Sequence, residues 1–413
     1  MNTRAARRCF LVLVLLSALV SSCFGSPATE GTPAGGPPAG GPQPPSGSSS
    51  DPDPSTPSTP GSPSTPSTPT APTGPGASPG KGAGSALKPA LKWRLDTGDF
   101  VYSSPVVADG VVYVGSRSGV FYAIDEETGE VKWQMEAGRA VNSSPMLHGG
   151  VVYFGSHDGY LYAVNLDGSV KWRFATGGPV VATPAVSGGN LVFGSSDGNV
   201  YAVDAATGEE VWRYQTEDMV QCSPAVADGI VYIGSYDKRM YAFEAETGQL
   251  KWTFMTKGSI YSGPAVADGT LYFGGMDGLI YAVDCATGKE KWDYETAGPI
   301  VWSSPLVQDG IVYVGAFDSN LYALRATNGD LVWRYWTGEK AIYSSPTLVD
   351  GVVYFGCNDG YLYAVKAKDG KLAWKYKVGG SVYPRPAVSG GVVYFGSLDG
   401  YVYAVEQVNT QDK

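Results

Sequence analysis

Few residues of this 413-residue chain are equipped for chemistry, and they are not spaced for it. Only two histidines occur, His148 just before a Gly-Gly turn and His157 just before an Asp-Gly turn. In a strand-and-turn pattern those turns fall on opposite faces, so the pair cannot share a metal. Cys222, Cys285 and Cys357 are far apart and read as small buried hydrophobes, not as a disulfide framework. No Gly-x-Ser-x-Gly elbow is present. Gly80-Lys81 suggests a phosphate loop, but Pro75 stands where its first glycine is required and Gly82 replaces the Ser or Thr. The Asp-Gly pairs at 158–159, 197–198, 277–278, 359–360 and 399–400 read as turns, because Gly supplies positive φ and Asp bonds its own turn backbone. Calcium loops are the reading set aside. No catalytic residue, metal ligand or cofactor is expected.

The residues that recur are aromatic. Trp93, Trp133, Trp172, Trp212, Trp252, Trp292, Trp333 and Trp374 follow one another at 39 to 41 residues. Pro105, Pro145, Pro184, Pro224, Pro264, Pro305, Pro346 and Pro386 keep the same period, as does a Tyr-Ala series from Tyr122 to Tyr403. Four strands of about 5–6 residues and four turns of about 4 fill forty residues, which is a propeller blade. In the first repeat the alternation predicts strands over 103–108, 111–116, 120–125 and 130–135, each followed by a Gly-bearing turn. The expected fold is all-β: an eight-bladed propeller over residues 90–409. The last repeat stops near Gln407 without its Trp-bearing strand, and Leu91 to Leu95 supplies that piece at the front. The N-terminal strand should therefore close the last blade.

A binding face is legible where the copies differ. The turns between the first two strands are monotonous, Asp-Gly or Gly-Gly throughout. The opposite face is not. Three residues before each repeat proline stand Tyr102, Asn142, Val181, Gln221, Tyr261, Trp302, Tyr343 and Tyr383. Blades five to eight and blade one thus carry an aromatic crescent, while blades two to four carry none. Tyr236, Met276 and Phe317, just before their own turns, should extend it. The crescent reads as a partner-binding surface over blades five to seven, centred on Trp302, since Tyr and Trp give wide contact with a polar tip. Packing at the entrance of each inner strand is the competing reading.

The first 22 residues read as an export signal: Arg4, Arg7 and Arg8, then an apolar run from Phe10 to Val20 too short to span a bilayer. Val20-Ser21-Ser22-Cys23 resembles the bacterial lipobox, which implies cleavage before Cys23 and its acylation. Residues 23–89 hold 18 of the 29 prolines among Ser, Thr, Gly and Ala, a composition that buries no core and reads as a tether.

The motif Tyr-Ala-Ile/Val-Asp-x-x-Thr-Gly-x-x-x-Trp, at Tyr122 to Trp133 and Tyr281 to Trp292, resembles the tryptophan-docking repeat of quinoprotein (PQQ-like) propellers. The resemblance covers about 320 residues and implies that each repeat Trp packs between neighbouring blades. With the lipobox, the chain resembles the lipid-anchored PQQ-like repeat proteins, the outer-membrane assembly factor BamB family in particular. Quinoprotein dehydrogenases share the repeat but hold their quinone against a disulfide between adjacent cysteines and carry calcium ligands on long insertions. This sequence has neither. The resemblance therefore implies a non-catalytic, exported docking scaffold for an envelope protein or peptide segment, attached to the membrane through Cys23. The alternative is a ligand sensor or quinone enzyme using the central funnel. WD-type propellers are excluded by the missing Gly-His signature.

Composition bounds the rest. A length of 413 suggests two or three domains at about 150 residues each, but one repeat fills most of the chain. Gly and Pro make about a fifth of the residues, and the net charge is −10. An acidic chain lacks the footprint for nucleic acid or anionic lipid. The propeller should be monomeric.

Overall fold

The computed structural model describes residues 87–409. The signal segment, Cys23 and nearly all of the linker lie outside them. Eight four-stranded antiparallel sheets follow one another in chain order, each running from an inner strand A to an outer strand D. Blade one is Val106–Ala108, Val111–Gly115, Val120–Asp125 and Val131–Glu136. Blade eight takes its strands A to C from Ala387–Ser389, Val392–Gly396 and Tyr401–Asn409. Its strand D is Leu87–Asp96, from the other end of the chain, with Trp93 opposite Ala404. The N-terminal strand closes the ring.

The strands differ from the sequence expectation at their ends. Strand A has only three residues, not six, because Pro105 has no N–H to give and Ser103 spends its hydroxyl on the Gly115 N–H at 3.0 Å. The closing strand begins at Leu87, inside the stretch read as linker. Pro89 is tolerated there because this is the outer edge of its blade.

Each outer pair contains a β-bulge that sets Ala of strand C opposite Trp of strand D, as in Ala123↔Trp133. The small residue leaves the indole free to lean across to the next blade. There its ring N–H donates to a carbonyl in the C–D turn: Trp93 to Glu126 at 3.0 Å, Trp133 to Leu166 at 2.8 Å, Trp212 to Ala245 at 2.9 Å. Trp172, Trp252, Trp292 and Trp333 do likewise toward Ala205, Cys285, Ala326 and Ala367. Trp374 faces the blade that lacks a C–D turn. It is buried too, and there Gln407 donates to the Tyr354 hydroxyl at 2.9 Å.

The core lies between blades, in clusters of strand B and C side chains from adjacent sheets. Blades approach most closely where strand B ends in glycine. A Cβ on Gly396 would lie 2.2 Å from the Val101 side chain, one of the close contacts at the junction of blades eight and one.

Candidate functional site

The face built from the D–A and B–C connections is anchored by a repeated carboxylate. Asp158, Asp197, Asp237, Asp277, Asp318, Asp359 and Asp399 each accept the hydroxyl of the Tyr four residues on, as in Asp197 with Tyr201 at 2.7 Å. The same groups accept a backbone N–H of their own turn, and most accept one from the preceding D–A loop, as Asp158 does from Gly138 at 2.8 Å. Those bonds fill the lone pairs a calcium ion would need. The bond to a Tyr four residues away is readable in the Asp-Tyr spacing, which the turn reading of these Asp-Gly pairs does not use.

Above this layer, residues three before the proline meet residues of the preceding blade's B–C turn. Gln221 donates to Ser196 at 3.0 Å and accepts from Tyr236, and the rings of Tyr236 and Tyr261 pack at a tilt with centroids 4.0 Å apart. Phe317 meets Tyr343 edge-on at 5.7 Å, and the Tyr383 hydroxyl donates to Asn358 at 3.4 Å. In blade two Asn142 bonds His157 at 3.0 Å. Burial, with Arg117 and then Arg139 nearby, lowers the His157 pKa to about 4.

The aromatic residues do not form one even crescent. Trp302, Tyr343, Tyr383 and Tyr102 touch in sequence, with centroids at 5.2, 4.6 and 5.9 Å, over blades six, seven, eight and one. Tyr236 and Tyr261 pair separately over blades four and five. Tyr236, Tyr343 and Tyr383 are buried; Tyr102, Tyr261, Trp302, Met276 and Phe317 are partly exposed.

Trp302 departs from the repeat. Its φ is +57°, and Ser303 N donates to Val301 O at 2.7 Å across it, forming a positive-φ γ-turn. That turn is rare and strained, more so for a bulky residue. The other non-glycine residues with positive φ lie in hairpin turns. The turn throws the indole forward onto Tyr343 and, at 6.1 Å, onto Tyr383 two blades on. No described residue accepts its ring N–H, unlike those of seven docking tryptophans. Nothing in the sequence announced this turn.

Among the described residues no three His, Cys, Asp or Glu side chains gather as a metal site. Cys222, Cys285 and Cys357 are free thiols in three different blades, and burial pushes Cys222 and Cys357 up to about 12. A quinone held on paired cysteines beside calcium does not fit these side chains.

The family model described as outer membrane protein assembly factor BamB matches residues 85–183, 167–260 and 255–413. The chain belongs to that family of PQQ-like propellers. Among solved structures it is similar to BamB from Moraxella catarrhalis: 20% identity, TM-score 0.67, 77% of this chain and 99% of that one. It is equally similar to a computationally designed protein, Ika8, at 20% identity and TM-score 0.69, over 79% of this chain and 100% of that one. A europium-containing methanol dehydrogenase aligns at 15% identity and TM-score 0.68, covering 77% and 93%. At these identities the structural likenesses speak for the fold alone. No curated protein matches the chain.

Proposed function

We propose that the chain is a lipid-anchored, non-catalytic docking scaffold of the cell envelope, its propeller presented outside the cytoplasm on a Pro-rich tether. The partner is a peptide or protein segment that settles over blades six to eight, as expected of a BamB-like assembly role. Trp302 carries the reading. Tyr261, Tyr343 and Tyr383 are explained by packing against neighbouring turns, whereas Trp302 keeps a strained backbone and an indole N–H with no acceptor among the described residues. A large amphipathic ring with an unspent donor is a binding hot spot in waiting. The rings of Trp302, Tyr343, Tyr383 and Tyr102 offer the wide aromatic contact area favoured at docking faces.

The test is photocrosslinking in native envelopes, with a photoreactive residue at position 302 and, as control, at Ser187 on the opposite face. One discrete adduct from 302 and none from 187 supports the docking face. Equal labelling from both sites, or none from either, rejects it. Tight, stoichiometric uptake of PQQ with calcium by the purified chain would instead favour a quinone-binding protein.

A further inference from the structure

The residue before each repeat proline forms the innermost ring of the disc. There Ser104, Thr183, Gly263, Ser304 and Arg385 each donate their backbone N–H to a serine hydroxyl of the next blade: Ser144, Ser223, Ser304, Ser345 and, across the closure, Ser104, all at 2.9 Å. The ring is made of Ser104, Ser144, Thr183, Ser223, Gly263, Ser304, Ser345 and Arg385. Only the last is charged. A second departure sits beside it. The first residue of strand A is Val, Met, Ala or Leu in seven blades and Thr347 in blade seven. The two departures are bonded to each other: Arg385 Nε donates to Thr347 Oγ1 at 3.1 Å, and Thr347 Oγ1 donates to Pro386 O at 2.6 Å. Blades that close on serine and alanine show that propeller geometry asks for neither residue.

Arg385 is held ready. Pro384 and Pro386 flank it and restrict its backbone to extended conformations. With Nε committed to Thr347, both terminal amino groups of the guanidinium have no partner among the described residues, and no described carboxylate pairs with it. The side chain is exposed to solvent, and partial desolvation by the surrounding protein lowers its pKa. It stays charged at neutral pH all the same. With no described carboxylate beside it, the guanidinium is open to an anion, which would make charge-assisted hydrogen bonds to it. Two residues earlier stands Tyr383, packed at a tilt against Tyr343, Trp302 and Tyr102, so an aromatic cluster adjoins Arg385 along the chain.

We propose that Arg385, positioned by Thr347, binds one carboxylate of an aromatic or apolar acid at the mouth of the central channel. The fork of two amino groups matches the two oxygens of a carboxylate. One positive charge balances one carboxylate and leaves a phosphate dianion or a polycarboxylate in excess, in a chain already at −10. Either a free small acid or the C-terminus of a peptide presents this chemistry.

Calorimetric titration of the purified full chain with phenylacetate, phenylacetamide, Gly-Gly-Phe and Gly-Gly-Phe amide separates the cases. The expected result is binding of an acid at least ten-fold tighter than of its amide. Arg385→Ser, which installs the residue of five other blades, should erase the difference, and Thr347→Ala should narrow it. Phenylacetate alone binding identifies a small acid as the source; selectivity in the peptide pair as well identifies a chain terminus. Acid and amide binding alike, neither binding at millimolar concentration, or selectivity that survives Arg385→Ser overturns the proposal. The acid–amide comparison on the unaltered chain decides the matter even if a variant misfolds. The probes need no protein partner, so failure here leaves the docking face untouched.

Discussion

The indole of Trp93 packs against Gly129, so close that a Cβ there would sit 2.7 Å from the ring. Gly129 has φ +77° and belongs to the C–D turn of blade one, while Trp93 belongs to blade eight. Gly129→Ala therefore meets two penalties, backbone strain and overpacking, together roughly 2–4 kcal/mol. Gly110→Ala, at φ +75° with nothing within 4 Å, meets the first alone. Thermal melts of both should place Gly129→Ala clearly lower. Equal melting temperatures would mean that the Trp–turn contact holds nothing together.

Ring closure gives a second expectation. Deleting 88–96 removes the strand paired with Tyr401–Asn409 and leaves that sheet edge open. Aggregation or a large drop in melting temperature should follow, and Trp93→Ala alone should cost roughly 3–5 kcal/mol. Deleting 30–80 should leave the melt unchanged. A closure deletion that melts like the parent would contradict the paired strand.

Cys23→Ser should give an uncleaved or soluble exported chain, measured by membrane fractionation and the mass of the mature N-terminus. A variant still processed at the same bond and still membrane-bound after a salt wash would disprove lipid attachment.

The fold was legible because its determinants are local and repeated: a Trp, a turn Gly and a Pro at forty-residue intervals report the same blade eight times. Closure by residues near Trp93 was equally plain from the missing last strand. The site was legible only as composition. Sequence placed Tyr261, Trp302, Tyr343 and Tyr383 at one ring position, but not which of them pack downward. Burial of Tyr343 and Tyr383 depends on neighbours in the preceding blade, Phe317 and Asn358 among them. The reversal at Trp302 is a backbone conformation that no spacing encodes, and it moves the aromatic cluster one blade onward from the centre the sequence suggested.

That backbone makes Trp302 separable from its buried neighbours. At φ +57° a glycine is relaxed and an alanine is strained, so Trp302→Gly should be more stable than Trp302→Ala by about 1 kcal/mol. Chemical denaturation of the two variants measures the difference. The usual order, with alanine the more stable, would show that the γ-turn is absent in solution. Tyr343→Ala is unsuitable as a binding probe because removal of its buried ring should itself lower stability by roughly 3 kcal/mol.

His157 should give the propeller a pH dependence of definite sign. Burial first, then Arg117 and Arg139, depress its pKa from 6.5 to about 4. In the unfolded chain the imidazole takes a proton near 6.5, whereas in the folded chain it does so only near 4. Between those values the unfolded state binds more protons, so stability is full above 6.5, falls as the pH drops, and levels off below 4. The whole step is on the order of 3 kcal/mol. Carboxylates join the titration below about pH 5, so the interval from 5 to 6.5 isolates the histidine. His157→Gln should flatten stability across that interval, and an NMR titration, with His148→Gln to assign the resonance, should show His157 neutral at pH 5. A ring titrating at 6.5 or above would mean that the imidazole is solvated and that its contact with Asn142 does not persist.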